Sequence, residues 1–247
     1  MNELLRERCL VKLIIATKNN NKVKEIDAFF DTVFPRSMSM SSLDNLPEFE
    51  PWPDVVEDCE TFEGNAIKKA FELALHAKRS VLSEDSGLVV DALDGKPGVK
   101  SARFAGPAKD HAANNARLVR ELGALQEAGQ ATPPFTARYV AVAALALFPD
   151  DAVGEWFLSH VDRSKAVEGE PGEQGQLGVV DGVYLIYWRG ECEGEILLES
   201  QGDGGFGYDP HFYVPQLGKY MAELGVEQKG EISHRRHALQ RMVDQLK

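Results

Sequence analysis

The sequence predicts an α/β fold in a single domain of two lobes, and three observations carry that expectation. Residues 11–16 form a β-branched strand pattern that leads into the polar loop Thr17-Lys18-Asn19-Asn20-Asn21-Lys22, after which Val23, Ile26, Phe30, Val33 and Phe34 recur at helical spacing until Pro35. The alternation returns with a helical pattern over 61–79 that ends at the apolar pair Val81-Leu82. A length of 247 residues is enough to bury a sizeable core in one α/β unit or two small lobes.

Charge and cysteine usage narrow the function classes. A formal charge of −12 argues against broad nucleic-acid binding, which needs basic surface to displace counterions, while leaving room for one phosphate group held by local lysines and backbone amides. Cys9, Cys59 and Cys192 are far apart and in no CxxC spacing, so neither a disulfide framework nor a zinc site is expected. The N-terminus carries Glu3, Arg6, Glu7 and Arg8 before any apolar run, and the longest apolar run, over 140–148, is too short to cross a bilayer. A cytoplasmic, reducing location without membrane contact is expected.

The first loop presents backbone N–H groups at a helix N-terminus with Lys18 and Lys22 beside them, an anion-binding arrangement, although it lacks the glycines of a P-loop. Between Ser37 and Ile67 there is no lysine or arginine, and Glu48, Glu57, Glu60 and Glu63 stand among further acids and prolines. This reads as a solvated acidic loop, or as the source of a carboxylate that joins Asp85 at a metal. Thr61 is placed to cap a helix with Phe62, Ala66, Ile67, Ala70, Phe71 and Ala74 inward and Lys68, Lys69, Glu72 and Lys78 outward.

The central stretch, Ser83-Glu84-Asp85-Ser86-Gly87-Leu88-Val89-Val90-Asp91, reads as strand, acidic turn, strand. Carboxylates held at the end of a buried strand suit a hard cation such as magnesium and a water attacking an electrophile; the bland alternative is a solvated turn. Beyond it, residues 107–122 read as a helix ended by Gly123, 135–148 as a long strand or strand pair, and 155–158 as another strand. Residues 164–182, rich in Glu and Gly, carry too little apolar surface to offset their ordering entropy and are expected to form a disordered insertion. Replacing 168–182 by a short Gly-Ser link is expected to leave catalysis within a few-fold and to raise the melting temperature by removing loop entropy. Strands resume at 183–188 and 195–198.

Residues 202–207 match GxGxxG by letter, but Pro210 and a strand-like run follow where a dinucleotide motif requires a helix. What remains is a glycine-rich loop that approaches a ligand closely, with Phe206 and Tyr208 able to stack on a flat ring. Ser233 is a natural N-cap for a last helix, and it puts His234 and Arg235 in the first turn, where cations are disfavoured unless an anion or acceptor compensates.

Four separated motifs together resemble the inosine triphosphate pyrophosphatase-like enzymes, which hydrolyse non-canonical purine nucleoside triphosphates. They are Ala16-Thr17-Lys18-Asn19-Asn20-Asn21-Lys22; Thr61-Phe62-Glu63-Gly64-Asn65-Ala66 leading to Lys69; Glu84-Asp85-Ser86-Gly87-Leu88; and Gly205-Phe206-Gly207-Tyr208-Asp209-Pro210 with Lys229 and Ser233-His234-Arg235. The chain departs from the family pattern at the acidic insertion and at Asn20-Asn21. The resemblance implies an elongated mixed β-sheet with flanking helices, two lobes around a central nucleotide cleft, and a homodimer. The implied reaction converts an NTP and water to an NMP and diphosphate with Mg2+. By matched position Asp85 resembles the general base and a metal ligand, and Ser86 a substrate contact. Thr17, Lys18, Asn19, Asn20, Asn21, Lys22 and Lys69 resemble the triphosphate-binding groups. Phe206, Gly207, Tyr208, Asp209, Lys229, His234 and Arg235 resemble the base and sugar pocket. Glu48 is favoured as the second metal carboxylate, with Glu63 and Glu84 as competitors. Two other readings stand beside this one: a pyrophosphatase for pyrimidine or modified nucleotides, and a nucleotide-binding regulator without turnover.

Overall fold

The structure, a computed structural model, describes residues 11–17, 19–33 and 38–246. In chain order the elements are β1 (Val11–Ile15), α1 (Asn20–Val33), β2 (Met38–Ser42), α2 (Phe62–Ala77), β3 (Val81–Val90), α3 (His111–Glu127), β4 (Phe135–Leu147), α4 (Ala152–Leu158), β5 (Val167–Glu168), β6 (Gly178–Val180), β7 (Val183–Ile196), β8 (Phe212–Val214), β9 (Lys219–Tyr220), α5 (Val226–Ile232) and α6 (His234–Gln245). The strands form one sheet in the order β2-β1-β3-β4-β7-β6-β5, with β8 on β7 and β9 on β8. Parallel pairs at β1–β2 and β1–β3 and antiparallel pairs at β6–β7, β7–β8 and β8–β9 make the sheet mixed, in keeping with the α/β class expected from the sequence.

The chain divides into two compact units. One holds the residues up to Asp85, Val142–Arg189 and those from Ala238 onward. Here α2 starts at Thr61, whose Oγ1 accepts from the Gly64 N–H at 3.0 Å, and stops at Lys78, which turns left-handed with φ 50°. Its inward face is Phe62, Asn65, Ala66, Ile67, Ala70, Leu73, Ala74 and Ala77, so Leu73 takes the place expected for Phe71. The other unit, Ser86–Ala141 and Gly190–His237, packs Leu88, Val90, Leu118, Leu122, Phe135, Ile196, Tyr208 and Phe212 into its core.

Four expectations are corrected. Glu84 and Asp85 lie within one ten-residue strand, β3, instead of in a turn. Burial of almost every β3 residue keeps that strand continuous, because pairing satisfies its backbone polar groups away from water. The helix α3 runs through Gly123 to Glu127, since Leu118, Leu122 and Leu125 carry the apolar stripe past the glycine. Residues 155–158 are helical, because Asp151 caps α4 by accepting from the Gly154 N–H at 2.6 Å. The acidic segment 164–182 is more ordered than its composition predicts: β5 and β6 form in it, Leu177 is buried, and the Gly175 N–H donates to the Tyr187 carbonyl at 2.9 Å. Among the described residues no helix is long and apolar enough to cross a membrane.

Candidate active site

In the first unit the site grows from the pairing of β1 with β3. Ile14 stands opposite Val81 and Ile15 opposite Leu82, and the Ala16 N–H continues the ladder to the Leu82 carbonyl at 2.8 Å. That register brings the loop after β1 alongside Glu84 and Asp85. The loop is ordered by its own side chains: Thr17 Oγ1 accepts from the Asn19 N–H at 3.1 Å, and Asn19 Oδ1 accepts from the Lys22 N–H at 3.4 Å as α1 begins. The first turn of α1 contains no acidic residue, so its positive dipole end is not neutralised locally. Lys18 and the side chains of Asn20 and Asn21 lie outside the described residues.

Two ion pairs frame the acidic strand. Lys22 Nζ meets Glu84 Oε2 at 2.7 Å, with the glutamate 3% exposed, and Lys69 Nζ meets Glu57 Oε1 at 2.5 Å. Asp85 is buried at 8% exposure. Its Oδ2 accepts from Asn65 Nδ2 at 3.2 Å, while Asn65 Oδ1 accepts from the Cys59 N–H at 2.9 Å. Burial pushes the Asp85 carboxyl up to about 6, against the pull of Lys69 and Lys22 and with help from Glu57 and Glu84. A carboxylate so poised is ionised at neutral pH yet basic enough to take a proton.

The carboxylates whose field reaches Asp85 are therefore Glu57 and Glu84. Glu48 is exposed on the turn Pro47–Phe49, outside this bonded cluster, and Glu63 is held by Arg189 at 2.8 Å. Sequence reasoning counted Glu57 among the acids that could join Asp85 but did not single it out, because it looks like any other acid in that run. Asn65 left a signal: a polar residue on the inward face of α2 must find a partner. Among the described residues no three His, Cys, Asp or Glu side chains converge as a closed metal cage. Asp85, Glu84 and Glu57 are hard oxygen donors of the kind a divalent cation takes, and in this structure Glu84 and Glu57 are each paired with a lysine.

In the second unit the glycine-rich loop is built around Asp209, which is 3% exposed. Its Oδ2 accepts from the Phe206 N–H at 2.9 Å and from Lys229 Nζ at 2.6 Å, and its Oδ1 from the Tyr139 hydroxyl at 3.0 Å. Gly205 permits this: its φ is +76°, and a Cβ there would stand 2.1 Å from Asp209 Oδ2. Lys229 Nζ also lies 5.0 Å from the centre of the Phe206 ring. The Tyr139 ring stacks on His234 at 5.1 Å and 18°. Arg235, in the first turn of α6, is 2% exposed, and Ser233 caps that helix by accepting from the Arg236 N–H at 3.1 Å.

Tyr208 differs from its expected role. Its ring is buried in the core and its hydroxyl donates to the Ser101 carbonyl at 2.8 Å, so Phe206 alone of the two aromatics is left half-buried at the loop. Asp209 is a hub that aligns Lys229 and the loop backbone. Ser86 is half-buried at the first position of the second unit's chain. Tyr139, which no motif flagged, joins Asp209 to His234.

A mixed-sheet α/β protein with a buried carboxylate between two lysines and a glycine-rich loop ordered by an aspartate belongs to the class equipped for phosphoanhydride chemistry. The chain is a member of the Ham1 family, whose sequence profile matches residues 13–162 and 176–245. The dITP/XTP pyrophosphatase of Geobacillus kaustophilus is 39% identical over 234 residues, 95% of this chain and 93% of that protein. The dITP/XTP pyrophosphatase of Geobacter sulfurreducens is 37% identical over 237 residues, 96% and 97% of the two chains. Among solved structures, the Staphylococcus aureus Ham1 protein superposes with a TM-score of 0.68 at 32% identity, covering 94% of this chain and 96% of its own. A HAM1 protein from Coxiella burnetii gives a TM-score of 0.71 at 28% identity, covering 95% and 97%.

Proposed function

We propose that this protein hydrolyses non-canonical purine nucleoside triphosphates, ITP, dITP and XTP, to the nucleoside monophosphate and diphosphate. The observation that carries the reading is Asp85: a buried carboxylate pushed to about 6 and flanked by the fields of Lys22 and Lys69. Cleavage between the α and β phosphorus atoms needs cationic groups on the departing diphosphate and a base for the attacking water. Lys22 and Lys69 serve the first need and Asp85 the second. Asp85, with Glu57 or Glu84 beside it, would hold the metal, and Glu57 replaces Glu48 as the favoured partner because its charge acts on Asp85. A bound Mg2+ would neutralise phosphate charge and bring the phosphates to Asp85.

Lys229, His234 and Arg235 are hydrogen-bond donors suited to the purine edge at position 6. Inosine and xanthosine present a carbonyl there, and adenosine presents an amino group that would face donor with donor. An unpaired buried donor costs about 1–3 kcal/mol, so a site built on hydrogen bonds discriminates sharply. The chain acts as a cytoplasmic homodimer in this reading, with the dimer open to light scattering.

A panel of nucleoside triphosphates with diphosphate detection tests the proposal. The expected order of kcat/KM is ITP, dITP and XTP well above GTP and ATP, with GTP, which shares the carbonyl at position 6, set apart by its 2-amino group, and with Arg235→Ala narrowing the preference for ITP over ATP more than it slows either. Equal hydrolysis of ATP and ITP refutes the base assignment, preference for a pyrimidine moves the protein to a neighbouring activity, and saturable binding without diphosphate release marks a regulator.

A further inference from the structure

The segment 163–175 falls between the two stretches matched by the family profile, yet it is bonded into the first unit through Gln174 and Gly175. Gln174 Oε1 accepts from the Arg189 N–H at 3.3 Å and from Arg241 Nη1 at 3.2 Å, while Arg241 Nη1 also donates to the Arg189 carbonyl at 2.8 Å. The Gly175 carbonyl accepts from Gln245 Nε2 at 2.7 Å, and Gln245 Oε1 accepts from Trp188 Nε1 at 2.7 Å. Gly175 has a φ of +76°, a left-handed backbone that glycine takes without strain. These bonds fix the backbone of Arg189 at the point where its side chain leaves β7.

The guanidinium of Arg189 donates to Glu63 Oε1 at 2.8 Å. Glu63 is in the first turn of α2, two residues before Asn65, which spans from the Cys59 backbone to Asp85. We propose that Arg189, braced by the 169–176 segment, is a positioning residue that fixes the first turn of α2 and thereby the Asn65 contact on Asp85. This rests on the catalytic reading of Asp85 given above. The pair is partly exposed, 33% for Arg189 and 24% for Glu63, so its contribution to stability is small and its effect is one of geometry. Small displacements of a reacting group are costly to rate even where they are cheap in folding energy.

The test is a double-mutant cycle of Arg189→Ala and Glu63→Ala, with Gln174→Ala and Arg189→Lys beside it. Each single alanine variant of the pair should lower kcat for ITP by about ten- to a hundredfold, more than it raises KM, with Tm moved by no more than about 4 °C. The double variant should fall no further than the singles, and Arg189→Lys should recover most of the loss. Hydrogen exchange without ligand gives a readout independent of turnover: amides over 59–66 should exchange faster in Arg189→Ala and Gln174→Ala while those of β4 do not change. Additive kcat losses, or unchanged exchange over 59–66, would overturn the brace. Wild-type protein that releases no diphosphate would refute the proposed function while leaving the exchange comparison as the test of Arg189.

Discussion

Asp85→Asn should remove most turnover and at the same time stabilise the protein, a pairing that separates a working carboxylate from a structural one. Burial raises this carboxyl from 3.8 to about 6. Between those pH values the folded protein holds a proton that the unfolded chain has released, so wild-type stability falls as pH rises from about 4 to about 6 and stays low above that window. At 1.36 kcal/mol per pH unit the penalty is about 3 kcal/mol. Asparagine keeps the shape and avoids the buried charge. With about 2–4 °C of Tm per kcal/mol at this chain length, the variant should melt roughly 6–12 °C above wild type at pH 8 in the presence of a chelator. The gap should narrow toward pH 4 and close below the unfolded value of 3.8, where both wild-type states are protonated. Turnover should drop by about 10²–10⁴-fold from loss of the base alone, and wild-type turnover should itself decline below about pH 6. Differential scanning calorimetry across pH, with diphosphate release measured on the same samples, gives both quantities. A Tm difference that ignores pH would refute the buried-charge argument, and near wild-type diphosphate release would refute the role of Asp85.

Other perturbations address the surroundings of the two clusters. Lys22→Met leaves Glu84 buried without its cation and should destabilise by about 3–5 kcal/mol in urea titration; an unchanged midpoint would show that the pair is dispensable. Gly205→Ala places a Cβ against Asp209 in a left-handed backbone, so KM for ITP should rise about tenfold or more with kcat less affected, and a variant with unchanged KM would show the loop to be irrelevant to substrate. Replacing 168–182 by a Gly-Ser link should lower Tm and slow turnover because Gln174 and Gly175 are bonded to β7 and α6. Unimpaired stability and rate would return that segment to the solvated excursion its composition predicts.

The sequence by itself determined the α/β class, the helix at Thr61 and the last helix capped by Ser233, because each depends on local chemistry, periodicity and a capping hydroxyl; it also singled out Asp85 as the candidate carboxylate. Its errors fell where tertiary context overrides local preference. Glu84 and Asp85 look like a turn because acids and glycine favour turns, but β3, paired with β1 at Val81 and Leu82 and lying between β1 and β4 in the sheet, carries them on as buried strand. The segment 164–182 looks unpackable when only its apolar content is counted, whereas its order comes from hydrogen bonds to distant residues. Tyr208 looks like a stacking platform until its ring is found in the core. Glu57 could not be told from Glu48 or Glu60 by letter; only the fold brings its charge to bear on Asp85 and its oxygen to Lys69. Chain-local patterns fix an element where its own periodicity and cap decide it, as at α2, and the field and partners around a side chain, which decide its pKa and its role, arise from residues distant in sequence.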